Sequence, residues 1–572
     1  GGRNASQFSF TESPFNSGNL TTLIIGEGVK HIPSYFAYNL KSISDITIPT
    51  SVTSIGSSAF LGCSGLKAVN ISDIAAWCGI SFSNEESNPF YISKHLYVNG
   101  SEIHDLLIPK SVSSIGDFAF YGCSSLKSIH IQGSVSSIGT KAFYGCYGLT
   151  KVNISDVAAW CNISFSSFND NPISYTRHLF VNDVEIKDLI IPSTVTSIGD
   201  NVFARCSELK SVTIPNSVVS IGEGAFYDCE NLVSVSIPHS VVSIGAQAFL
   251  FTPWYDSLSS GLVYIGDVLY GYKGVMQPNT SVAIKEGTVS ISASAFKGCQ
   301  DLVSVSFPNS VKTIGERAFS DCVGLNTVNI TNGVVTIGDN AFSDCSGLSS
   351  IIIPNTVTSI GSGAFYSCTG LTSVNIPNSV TCIGNSAFSG CSGLASVTIG
   401  NGVTTIGDDA FNNCSNLTEV IYNAVNCNGC KVNEHIWFKD CQLKSLLIGE
   451  QVKSIPAYLA CGQKQLTSIT IPNSVASIGD YAFSGCSGLS SVGISDNVTT
   501  IGNRAFQSCS GLASLNIPNS VATIGSGAFA GCSGLISVNI SESVAAIKTD
   551  TFEGCSSLKA VTIPDNVTTI AD

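Results

Sequence analysis

One pattern returns every 23 residues along most of this chain, and a repeat of that length decides the class of fold before composition is considered. One unit reads Leu371-Thr-Ser-Val374-Asn-Ile376-Pro377-Asn-Ser-Val380-Thr-Cys-Ile383-Gly384-Asn-Ser-Ala387-Phe388-Ser-Gly-Cys391, and the next begins at Leu394. Its cysteine recurs at Cys299, Cys322, Cys345, Cys368, Cys391 and Cys414, and again at Cys486, Cys509, Cys532 and Cys555. Val374 and Ile376 alternate with Ser373 and Asn375, the period of a half-buried strand, and Pro377 ends its ladder for want of an N–H. Ala387 and Phe388 follow three and four residues after Gly384. With Asp, Asn, Ser or Thr often standing directly after the glycine, this predicts an N-capped helical turn whose Phe and Cys point inward. A unit this small cannot bury its apolar side alone. The units must stack, which predicts one repeat solenoid over 1–572 with a parallel β-sheet on one face and short helical turns opposite.

The pattern Leu-x-x-Val-x-Ile-Pro-x-x-Val-x-x-Ile-Gly-x-x-Ala-Phe-x-x-Cys resembles the BspA-like, or Treponema-type, leucine-rich repeat family of bacterial surface proteins. It departs from the commoner leucine-rich repeat, which places Asn or Cys three residues after the strand; Ser379 stands there. The resemblance implies a cell-surface or extracellular protein that adheres to host matrix proteins, other cells or epithelial surfaces, and it implies no cofactor.

Composition agrees with a folded chain that does not span a membrane. The 44% hydrophobic content with 12% charged residues excludes disorder, because a disordered chain lacks apolar residues to offset its ordering entropy. No apolar run approaches a membrane span of about 18 residues. A net charge of -14 without a Lys/Arg cluster excludes nucleic acid and anionic membrane as partners. No nucleophile elbow, phosphate loop or zinc-protease helix occurs, so an enzyme is not expected.

Most of the 22 cysteines share the one repeat position. Parallel side chains at strand spacing do not converge as a disulfide needs, so Cys322, Cys345, Cys368 and Cys391 are read as buried free thiols, structural beside Phe342, Phe365 and Phe388. Cys427-Asn-Gly-Cys430 followed by His435 and Cys441 has spacing near that of a zinc knuckle. The repeat register points Cys441 inward; zinc, a Cys427 to Cys430 pair and free thiols stay open here.

The repeat is interrupted at about 71–112, 154–195, 250–283 and 421–441. The first two interruptions are near copies, each with an Ala-Ala-Trp-Cys run (Trp77, Trp160) and a histidine (His95, His178) read as structural because no carboxylate recurs beside it in a catalytic arrangement. The tryptophans are expected to close the solenoid where the Ala-Phe turn is missing. The third carries Trp254, Tyr255, Tyr264, Tyr270 and Tyr272, the candidate ligand-binding residues, since rigid aromatics on loops bring contact area at low entropy cost. The outward strand residues, such as Ser373 and Asn375, are almost uniformly Ser, Thr and Asn, which favours weak multivalent contact or a spacer role. Three roles follow: adhesion to a host extracellular protein, glycan binding through the insertion aromatics, or an inert stalk. Because Asp572 falls in mid-repeat, the chain is expected to be a segment of a longer protein.

Overall fold

The computed structural model describes residues 13–15, 19–427 and 436–571. They form two compact units, Gly1–Ser259 and Ser260–Asp572. Each is a solenoid built mainly of parallel strands, with turns of about 23 residues and few helices.

A regular turn shows how the sequence dictates the winding. The strand Ser373–Ile376 pairs in parallel with Ser396–Ile399, Val374 opposite Val397. Val374 and Ile376 are buried while Ser373 and Asn375 face out, as the alternation predicts. After Pro377 the chain bends and extends again over Cys382–Ile383, which pairs with Ser359–Ile360 and Thr405–Ile406. Each unit therefore supplies two strands, where the sequence reading has one. Two residues are too few to carry a period-two signal.

The Ala-Phe segment is not helical. Ser386 (φ 52°) and Gly390 (φ 76°) both occupy the left-handed region, which interrupts any helix. The amides then alternate. Those of Ala387, Ser389 and Cys391 bond back within the unit, to the carbonyls of Gly384, Ser386 and Phe388. Those of Ser386, Phe388 and Gly390 donate across to Asp408, Ala410 and Asn412 of the next unit, each at 2.8 Å. A left-handed non-glycine residue costs roughly 1–2 kcal/mol, offset here by turning its amide onto the neighbouring unit. The residue after the glycine does cap, but not its own turn: the Asn385 carboxamide oxygen accepts from the Asp408 amide at 2.9 Å, and Asp339 and Asp480 accept from Ser362 and Asn503 at 2.7 Å.

Inside, the phenylalanines stack along the solenoid. Phe342, Phe365 and Phe388 follow one another at 5.4 and 5.1 Å, with interplanar angles of 5° and 9°. The close approach of units also explains the glycine after each Ile. A Cβ on Gly384 would lie 2.4 Å from the Ser362 amide nitrogen, backbone that cannot step aside. Gly384→Ala is therefore expected to cost about 3 kcal/mol or more, at or beyond the top of the range for overpacked cores. In urea unfolding, Gly493→Ala, whose Cβ meets nothing nearer than 3.8 Å, should leave the midpoint nearly unchanged.

The strand face is parallel as expected, but its hydrogen bonding is divided among several sheets. In the first unit it is divided by two antiparallel hairpins, Leu96–Val98 with Ser101–Glu102 and Leu179–Val181 with Val184–Glu185. In the second unit a longer antiparallel pair, Gly261–Ile265 with Val268–Lys273, forms one end of the sheet of two-residue strands, next to Ser290–Ile291.

Candidate functional site

The repeated cysteines are buried, and their thiols make a bond the sequence did not announce. Cys368 Sγ donates to the Phe342 carbonyl and Cys391 Sγ to the Phe365 carbonyl, each at 3.1 Å, and Cys322 and Cys345 do the same to Phe296 and Phe319. The position thus needs a donor as well as a small apolar side chain. Burial pushes the Cys345 and Cys391 thiols up to about 12. Every described cysteine is free. Cys441 occupies a place in this ladder, its Sγ 3.2 Å from the Phe411 carbonyl, and burial pushes Cys427 up to about 11. Cys430 and His435 lie outside the described residues. Among the described residues no three His, Cys, Asp or Glu side chains converge on a common metal position.

The duplicated insertions rebuild what they lack. In a regular unit the Phe365 amide donates to the Ala387 carbonyl of the next unit. Where no Ala-Phe turn exists, side chains supply that donor. Asp73 caps the helix Ile74–Cys78, which presents Trp77 Nε1 to the Ala119 carbonyl at 2.7 Å, and Asn88 Nδ2 reaches the same carbonyl at 2.8 Å. In the second copy Trp160 and Asn171 both reach the Val202 carbonyl at 3.0 Å. The Trp77 ring packs 5.4 Å from Phe82 and 5.1 Å from Phe90. A carboxylate does recur beside the histidines, seven residues on, in a hairpin contact that spacing alone did not reveal. His95 Nδ1 lies 2.6 Å from Glu102 and His178 Nδ1 2.6 Å from Glu185. Each pair joins the residue before one hairpin strand to the last residue of the other, so it clasps the hairpin.

The aromatics of 250–283 fall in both units. In the first, buried Thr252 caps the helix Pro253–Asp256 by accepting from the Tyr255 amide. Trp254, half-buried, sets its ring edge-on to Phe249 at 4.9 Å and closes the Phe203, Phe226, Phe249 stack. Tyr255 is also half-buried, and burial followed by the Asp256 charge raises its phenol above its ordinary value. In the second unit Tyr270 is buried, and Tyr264 and Tyr272 pack partly exposed against the core. The Tyr264 hydroxyl accepts from the Lys285 amide at 3.0 Å, with the Lys285 ammonium 5.2 Å from the ring centre.

The outward strand positions are less uniform than the Ser/Thr/Asn pattern suggests. Ile24, Leu107, Ile190, Ile352 and Leu447 occupy the place of Asn375 and are exposed, Ile352 by 77%. Beside Leu107 in the same row stand His130, Asn153 and Phe180. The Asn153 amide group bridges His130 Nδ1 at 3.0 Å and Asp183 at 3.1 Å, and Lys151 pairs with Asp183 at 2.6 Å. The Lys151 hydrogen bond holds the exposed Asp183 carboxyl below its ordinary value.

Among the described residues no helix is long and apolar enough to cross a membrane. No curated protein matches the chain. Among solved structures, the chain is similar to a leucine rich cell surface protein from Faecalibacterium prausnitzii at 29% identity, covering 52% of this chain and 87% of that one, with a TM-score of 0.29. A leucine-rich repeat protein from Bacteroides ovatus is 25% identical over 82% of this chain and 92% of its own, with a TM-score of 0.31. One from Eubacterium ventriosum is 22% identical over 61% and 82%, with a TM-score of 0.28. The model of the BspA type leucine rich repeat region matches in six copies, at 5–88, 90–176, 173–270, 265–391, 335–464 and 453–572. With nearly its whole length so matched, the chain belongs to the BspA-type leucine-rich repeat family.

Proposed function

We propose that the chain is a non-enzymatic binding protein of the cell surface or extracellular space, adhering to a host extracellular protein or glycan through the outward residues of its solenoid. One observation carries this reading: the interior repeats the same Phe and Cys contacts unit after unit, while the chemical variety lies outside, on strand faces, insertions and turns. Membership in the BspA-type family supports the same role. Within the 250–283 insertion, Trp254 and Tyr255 are the half-exposed contact candidates of the first unit, and Tyr264 and Tyr272 those of the second.

The test is equilibrium binding of the whole chain to immobilised fibronectin, fibrinogen, collagen and mucin. Saturable binding to at least one surface is expected, weakened severalfold in Trp254→Ala if the first-unit insertion takes part. A folded sample that binds none of them would sink the adhesion reading. The stalk reading, favoured by the Ser, Thr and Asn lining of most outward strand positions, would then take its place.

A further inference from the structure

Five tyrosines that no repeat position flags as a group meet on the turn side of the first unit. Tyr121 and Tyr144 each follow a buried core phenylalanine, Phe120 or Phe143, so they emerge on the outer side of the turn. Tyr91 and Tyr175 come from the short insertion helices Phe90–Ser93 and Ile173–Thr176, and Tyr147 follows the ladder cysteine Cys146. Their rings form one chain of contacts. Tyr91 lies 6.0 Å from Tyr121, Tyr121 stacks on Tyr144 at 5.4 Å, Tyr144 meets Tyr175 at 6.2 Å, and Tyr175 meets Tyr147 at 5.9 Å. Tyr147 is 73% exposed and Tyr91 36%, and the three between are half-buried.

We propose that this tyrosine row is a carbohydrate-binding surface that takes a neutral, linear polysaccharide; the proposal rests on the reading of the chain as a binding protein and names the ligand class and the place. Three features select that occupant. The rings run in one line: Tyr121 and Tyr144 stand at the same place in neighbouring turns, 5.4 Å apart, and Tyr91 and Tyr175 prolong them at 6.0 and 6.2 Å, so an extended chain can lie along several rings at once. Phenols also offer what a sugar needs, an apolar ring for its C–H face and a hydroxyl for its O–H groups. Finally, the charges beside the row compensate one another. Lys141 pairs with Glu85 at 3.8 Å and lies 5.9 Å from the Tyr144 ring centre, while Lys94 donates to the Tyr91 carbonyl beneath its own ammonium–ring contact. Glu86 accepts from the Ser58 hydroxyl at 2.7 Å. With Lys141 paired to Glu85 and the Asp170 carboxylate on the Lys141 amide, no surplus of cations stands beside the row to select a polyanion. Burial, then the Glu85 charge, pushes the Tyr121 phenol up to about 12.

The test is native gel electrophoresis of the whole chain through gels containing a soluble β-glucan, xylan, galactomannan or mannan, with heparin and alginate gels and a fibronectin surface as the other arms. The chain should be retarded by at least one neutral polysaccharide. The apparent affinity should fall tenfold or more in the Tyr91→Ala, Tyr147→Ala double variant, and fall less in Tyr147→Phe. It should be unchanged in Tyr366→Ala, an exposed tyrosine of the second unit. Both strip substitutions remove exposed rings, and an unchanged thermal midpoint verifies the fold. No retardation by any neutral polysaccharide, retardation untouched by the double variant, or retardation by polyanions alone would overturn the proposal. Fibronectin binding that persists under those outcomes would leave the adhesion reading standing while this one fails.

Discussion

Phe365→Ala should lower the stability of the second unit by about 3–5 kcal/mol, the range for a fully buried aromatic cut to alanine. The ring is completely buried between Phe342 and Phe388, with near-parallel contacts on both faces. Its backbone is also committed on both sides. The amide donates to Ala387 in the next unit, and the carbonyl accepts the Cys368 amide of its own unit and the Cys391 thiol of the next. That framework prevents the neighbours from closing over the vacated space, and unrelieved cavities are the costly ones. Because units touch only their neighbours, the loss should weaken the units on either side and broaden the urea transition. Ser373→Ala, on the exposed strand face, should shift it by less than about 0.5 kcal/mol. A Phe365→Ala cost below about 1 kcal/mol would mean that the stack contributes little.

The second large effect concerns the thiols. Burial lifts Cys345, Cys391 and Cys486 from 9.0 to about 12. At pH 8 this reduces the thiolate, the reactive form, by about a thousandfold before steric protection is added. Among the described cysteines a thiol reagent should therefore titrate few in the native chain, with Cys299, Cys382, Cys461 and Cys555 first because they are only partly buried, and in guanidinium all 22 of the chain should react. The same shift makes stability depend on pH with a definite sign. Above pH 9 the unfolded chain releases thiol protons that the folded chain keeps, so the stability present below pH 9 is lost as pH rises toward 12. The urea midpoint should be flat from the ladder thiols' side between pH 6 and 8.5 and fall above 9. Native labelling at the denatured rate would contradict the buried ladder.

Much of this architecture is legible in the sequence because contacts between neighbouring units make residues 23 apart equivalent. Strand alternation at Val374 and Ile376 and the recurrence of Cys391 both follow from that equivalence. What escaped has local physical reasons. The left-handed position of the turn is filled by Ser386, Asn340 or Arg317 as readily as by Gly363, so no glycine marks it and the segment imitates a capped helix. Asn385 has the composition of an N-cap, yet its partner is 23 residues away. The Cys391 thiol bond and the His95 to Glu102 clasp depend on directions in space that spacing alone does not encode. The tyrosine row is the extreme case. Tyr121 and Tyr144 share one repeat position and Tyr147 stands at another, usually filled by Ser, while Tyr91 and Tyr175 reach them from helices that the repeat frame does not contain.

We propose an inert, repeated interior that carries an adhesive exterior. The most direct test is adhesion of beads coated with the whole chain to surfaces bearing mucin, matrix proteins or polysaccharide, with soluble chain as competitor. Retention on at least one surface, abolished by excess soluble chain, is the expected result; retention no greater than that of albumin-coated beads on every surface would contradict it.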